Sequence, residues 1–253
     1  SKIPPISWVR IPVQKDQLGK MIRIELTGRG RTAENTLGGI YFGEDVSIIC
    51  AILWKNALQI LAAFCLMFLG IGMWVEYILV DKKKGDERGA YYTGVSLFFM
   101  GLWLGCQIDA RQLIFNNILL LWNLEYLSII MIPVPALLFI NKVEKGLCQR
   151  ELFLLSFFIF ICDTLIIFSA GVGIFSFAEL NLPIDILGLI TAIEVLRSFY
   201  MVSKKDKHLF RELTWMMGAY CTLIGFCMIE LLSYMISGYT NQGKFLSIGT
   251  IIF

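Results

Sequence analysis

Asp163, Glu194, Arg197 and Glu230 sit inside long apolar stretches of a 253-residue chain. An ionisable group in such a place needs a partner or a water-filled cavity. Asp163 and Glu230 have no opposite charge within a helical turn. Each is therefore either a protonated carboxyl bonded across a helix bundle, to Tyr220, Tyr234, Thr164 or Ser169, or part of a polar cavity open to the outside of a membrane. Glu194 and Arg197 stand three residues apart, on one helix face, the spacing of an ion pair whose arginine reaches toward the interface. Asp109 and Arg111 share a short polar loop, where they could clamp a ligand, dock a neighbouring domain or simply solvate the chain. Pro133 and Pro135 remove backbone hydrogen bonds inside an apolar block and predict a helix kink.

Enzyme chemistry is not expected of these residues. The chain lacks the GxSxG, HExxH, GxxxxGK[ST] and GxGxxG patterns, and its one histidine, His208, lies among lysines and arginines. The seven cysteines form no CxxC or Cys/His spacing, so neither a metal nor any other cofactor is expected. A retinal Schiff base would need a lysine in the last apolar block, where Lys244 stands only at the edge. The net charge of +2 is too small to suggest nucleic acid as a partner.

The elements that must hold these residues are apolar and long. Hydrophobic residues make up 57% of the chain and mean hydropathy is +0.70, against about 45–50% apolar residues in ordinary soluble domains. The bilayer is thus the first expected partner. Apolar blocks cover Ala57–Leu79, Ala90–Cys106, Tyr126–Ile140, Leu152–Ile174, Pro183–Val202 and Leu213–Ile236, and a further one starts at Phe245. Most approach the roughly 20 residues that a spanning helix needs. The third does so only when extended back through Leu119, which places Glu125 inside it.

Basic residues fall in every second gap. Lys82, Lys83, Lys84 and Arg88 fill one, Lys142, Lys145 and Arg150 another, and Lys204, Lys205, Lys207 and Arg211 a third, whereas the intervening gaps hold only Arg111 and Lys244. Loops rich in Lys and Arg stay cytoplasmic, so the chain is expected in the plasma membrane with its N-terminus outside and its C-terminus inside.

Residues 1–45 have another texture. Ser7–Val13 and Lys20–Thr27 alternate apolar with polar positions and predict strands. The expected fold is therefore mainly α: a seven-helix transmembrane bundle over residues 46–253, its seventh helix cut short, preceded over residues 1–45 by the last strands of an extracellular jelly-roll or β-sandwich. The start at Ser1 and the stop inside an apolar run read as an excerpt of a longer protein.

Three stretches carry a family resemblance: Gly39-Gly-Ile-Tyr-Phe-Gly-Glu44, Gly101-Leu-Trp-Leu-Gly-Cys-Gln-Ile-Asp109 and Tyr126-Leu-Ser-Ile-Ile-Met-Ile-Pro-Val-Pro135. With the order of elements, they resemble bacterial seven-transmembrane receptors with diverse intracellular signalling modules, including membrane-anchored GGDEF diguanylate cyclases. The resemblance implies an extracellular sensor for a small, carbohydrate-like ligand and a downstream cytoplasmic output module such as a cyclase or histidine kinase; a homodimer is a separate expectation. A sensory relay is the expected function, with Asp109, Arg111, Asp163 and Glu230 as ligand-binding or signalling candidates. The competing readings are a secondary transporter that uses the intramembrane carboxylates and a passive membrane anchor.

Overall fold

The computed structural model describes residue 11 and residues 43–79, 88–108, 110–115, 117–144, 148–175, 177, 179–237 and 248. These form helices α1 (Asp45–Lys55), α2 (Ala57–Leu79), α3 (Arg88–Gln107), α4 (Arg111–Ile114), α5 (Ile118–Ile130), α6 (Pro133–Val143), α7 (Gln149–Gly171), α8 (Asn181–Lys205) and α9 (Lys207–Ser237).

The expectation of seven spanning helices behind a β-sandwich needs correction. No strand occurs among the described residues, and four of their helical segments are long and apolar enough to cross a membrane: Ala57–Leu79, Leu119–Val143, Gln149–Gly171 and Asn181–Lys205. The stretches read as strands, Ser7–Val13 and Lys20–Thr27, lie outside the described residues apart from Ile11, as does the start of the seventh block at Phe245. Block two became α3, whose Gly89, Gly94, Gly101 and Gly105, together with Tyr91, Tyr92, Thr93 and Ser96, dilute its hydropathy. Block six became part of α9, which opens with Lys207, His208, Arg211 and Glu212.

The glycines that lower the hydropathy of α3 also set its packing. A Cβ at Gly101 would lie 2.7 Å from the Ala63 carbonyl oxygen, and one at Gly70 would lie 2.7 Å from that of Gly94. Ala63 thus faces Gly101 while Gly70 faces Gly94, so α2 and α3 run antiparallel at backbone contact, the small-residue approach that favours helix pairing in lipid. Tyr77 and Tyr91 close the same seam with ring centroids 5.4 Å apart.

Leu119–Val143 is one span broken in two. Pro133 and Pro135 cannot donate to the preceding turn, so α5 ends at Ile130 and α6 restarts at Pro133. The chain steps across with Met131 N–H bonded to Leu127 O at 3.2 Å and Ile132 N–H to Ile129 O at 3.4 Å. Both halves pack on α3, and α6 also packs on α7 and α8. The larger core follows from this, with Leu137 and Ile140 of α6 meeting Leu152 and Ile159 of α7 and Val195, Phe199 and Val202 of α8.

Ends and joints are specified locally. At the end of α7, Gly173 takes φ +80°, its N–H bonds Ala170 O at 3.2 Å and that of Ile174 bonds Ser169 O at 3.0 Å. That pair of bonds stops the helix through a left-handed residue that only glycine adopts at no cost. Between α8 and α9 stands a single residue, Asp206, whose carboxylate accepts from His208 N–H at 3.0 Å and Leu209 N–H at 2.9 Å. Asp206 thereby caps α9 while lysines 204 and 205 complement the dipole at the end of α8.

Candidate functional site

Two acids mark opposite ends of the broken span, Glu125 half-buried and Glu144 fully buried. Glu125 lies on α5 and Glu144 caps the end of α6.

At the first end, Arg111 of α4 donates to Glu125 through Nη1 at 2.8 Å, with side-chain exposures of 10% and 24%. Gln107, the last residue of α3, donates to the other carboxylate oxygen at 3.4 Å. Cys106 and Ala110 are buried beside them. The arginine found in sequence as a loop residue is therefore committed to an acid inside the span. Asp109, read with it as a ligand clamp, lies outside the described residues.

At the second end, Glu144 is fully buried. Ser198 of α8 donates through its hydroxyl to Glu144 Oε1, and the same hydroxyl lies 3.1 Å from Val195 O. Glu144 Oε2 has no hydrogen-bond partner among the described residues, nor does Oδ1 of Asn141, one turn earlier on α6. Burial pushes the Glu144 carboxyl above its ordinary range; the Ser198 hydroxyl and Arg197 oppose this, and the nearby Glu194 adds to it.

Arg197 ties the neighbouring turn together. Its Nε donates to Glu194 Oε2 at 2.9 Å and its Nη2 to Glu194 Oε1 at 2.5 Å, while Nη2 also reaches Glu151 in the first turn of α7. The Glu194–Arg197 spacing recognised in sequence is thus an ion pair extended to a third residue from another helix. Cys148, buried just before α7, has its thiol pushed up by burial first and then by Glu144 and Glu151, with Arg197 and Lys205 pulling the other way.

Asp163 faces the interior of the bundle, 7% exposed, with no hydrogen bond or ion pair among the described residues. Thr164 and Ser169, two of its expected donors, bond instead to Phe160 O and Ile166 O. Glu230 belongs to α9, but its side chain lies outside the described residues, as does that of Tyr234. Pro133 and Pro135 sit at the break between α5 and α6, away from either acid.

Glu144, Glu151 and Ser198 escaped the sequence reading. Glu144 falls among Lys142, Lys145 and Arg150 and looks like part of a solvated loop. Its spacing from Leu137 and Ile140 was the available signal, because that spacing continues the buried face of α6 by one more turn. Among the described residues no group of acids, cysteines and histidines is placed to hold a metal ion. The arrangement places carboxyl groups, with their ion-pair and hydroxyl partners, where different helices meet. Compared with known proteins, the chain matches no family model, no curated protein and no solved structure.

Proposed function

We propose that this chain is a membrane-embedded relay, in which a change at the Arg111–Glu125 end shifts α5 about its break with α6 and so alters how α6 docks on α7 and α8. The observation that carries this reading is that one broken span has a half-buried, ion-paired acid, Glu125, toward its first end and a fully buried, hydrogen-bonded acid, Glu144, directly after its second. A rigid helix would move as one piece, whereas an interruption lets two packing states coexist. The basic residues around Lys142, Arg150 and Lys204 support a cytoplasmic position for the Glu144 end, in the plasma membrane, with Arg111 outside. A sensory role follows, with a small ligand outside and a cytoplasmic signalling output, of the diguanylate cyclase or histidine kinase kind, inside. A ligand drives such a relay only by binding the two packing states unequally.

Pulsed electron resonance between spin labels on Lys142→Cys and Lys204→Cys, in a cysteine-free background in nanodiscs, tests the relay. Arg111→Gln is expected to change the distance distribution at this remote end. An unchanged distribution, with the protein folded, would overturn the proposal.

A transporter is the second reading, favoured by Asp163, which is buried and has no partner among the described residues. Its distinguishing result is solute uptake into proteoliposomes under a proton gradient, abolished by Asp163→Asn.

A further inference from the structure

Glu144 presents a problem of proton counting. The Ser198 hydroxyl carries one hydrogen and has two acceptors in reach, Val195 O at 3.1 Å and Glu144 Oε1. If Glu144 is ionised, Ser198 must give up one acceptor to serve the other, and Oε2 keeps its share of charge without a donor among the described residues. A buried carboxylate in that condition is costly. If Oε1 carries a proton instead, it donates to Ser198 Oγ, Ser198 donates to Val195 O, and Oε2 is left as a neutral carbonyl oxygen. Both hydroxyl protons then have acceptors.

Among the described residues no unengaged cation faces Glu144; Lys145, the next residue in the chain, lies outside them. On α8, Arg197 is engaged by Glu194 and Glu151, so it faces Glu144 already neutralised. From α7 come Cys148, Arg150 and Glu151; Arg150 is exposed, and Cys148 and Glu151 bring no positive charge. Lys142 of α6 itself is exposed, and Lys204 and Lys205 lie at the exposed end of α8. On α3, which also packs on α6, Tyr91 and Tyr92 stand at the N-terminal end, and the side chain of Arg88, the sole charged residue in the helix, lies outside the described residues.

We propose that Glu144 is a proton-binding site that latches α6 to α8, closed when the carboxyl is protonated and loosened when it ionises. Ionisation releases the proton to the aqueous phase and turns the Ser198 hydroxyl from Val195 O to the carboxylate. The charge then draws solvent into the seam between Ile140, Leu152 and Val202. The latch does not depend on the relay reading, since it can titrate in a protein that carries no signal between the two ends.

The sign follows from the raised affinity of the folded state for this proton. Its contribution to the docking of α6 on α8 is complete below the ordinary glutamate range and is lost as pH rises through the raised value. Spin labels on Lys142→Cys and Lys204→Cys in the otherwise cysteine-free chain, titrated from acid to alkaline pH, are expected to give a narrow, short distance that lengthens at a midpoint above that of free glutamate. Glu144→Gln should hold the short distance at every pH. Glu144→Asp, which keeps a carboxyl, should restore a pH response with a displaced midpoint. Infrared difference spectra supply an independent readout, in which a protonated-carboxyl band persisting above the glutamate range disappears in Glu144→Gln. A pH response that survives unchanged in Glu144→Gln, the absence of any response in the parent, or the absence of that band would each overturn the latch.

Discussion

At Arg111 the guanidinium has a structural duty that any ligand would have to compete with. It neutralises Glu125 inside a span, and removing one member of a mostly buried pair strands the other. Arg111→Ala should therefore lower stability by about 3 kcal/mol, read from unfolding in detergent. The double replacement Arg111→Met with Glu125→Leu should recover most of the loss, because no charge is left unpaired. Cys148 makes a second case. Its thiol is buried and pushed up, so it should stay unmodified by a neutral maleimide at pH 7 while exposed Cys50 reacts, as mass spectrometry of the folded protein can establish.

Helices α2 and α3 are ruled by what is missing from their seam. Gly101→Val puts a branched side chain where even a Cβ lies 2.7 Å from Ala63 O, so the helices must separate. The expected loss is about 1–3 kcal/mol or more. A Cβ at Gly72 or Gly218 meets nothing within 4 Å, and Gly72→Ala or Gly218→Ala should instead gain about 0.5–1 kcal/mol from helix propensity. Thermal unfolding of the three variants in one detergent compares them directly. These elements also mark how far sequence could be read. The block Ala57–Leu79 is α2 to the residue, since a lipid-facing helix advertises itself by unbroken apolarity. Extending the third block to Leu119 across Glu125 gave the observed span, and the prolines stand where the span breaks. The Glu194–Arg197 pair was legible because both ends lie on one helix. Glu125–Arg111, Glu144–Ser198 and Glu151–Arg197 were not, because each joins different helices and only packing brings them together. The seven-helix count failed for a related reason: apolar length counts residues, but α3 spends its residues on glycines that serve a neighbour.

Over the whole molecule, the antiparallel seam has a consequence for topology. α3 lies against α2 from Tyr77–Tyr91 to Ala63–Gly101, so the two helices run in opposite directions along the seam. In the orientation proposed above, the ends at Lys142 and Lys204 lie on the cytoplasmic side and Asn117 on the other. In intact cells a membrane-impermeant thiol reagent should label Asn117→Cys but not Lys142→Cys or Lys204→Cys in a cysteine-free background. Labelling of all three, or of the reverse set, would contradict this orientation.

The joint at Asp206 gives the molecule a mechanical property. One residue separates 25 residues of α8 from 31 of α9, and its side chain is tied to the start of the second helix. Such a joint has little length, so a displacement of the last turn of α8 carries the first turn of α9 with it. Two helices so joined have the layout of a bell crank, with Asp206 at the pivot. Lengthening the joint with a few glycines would leave both helices intact and disconnect the crank.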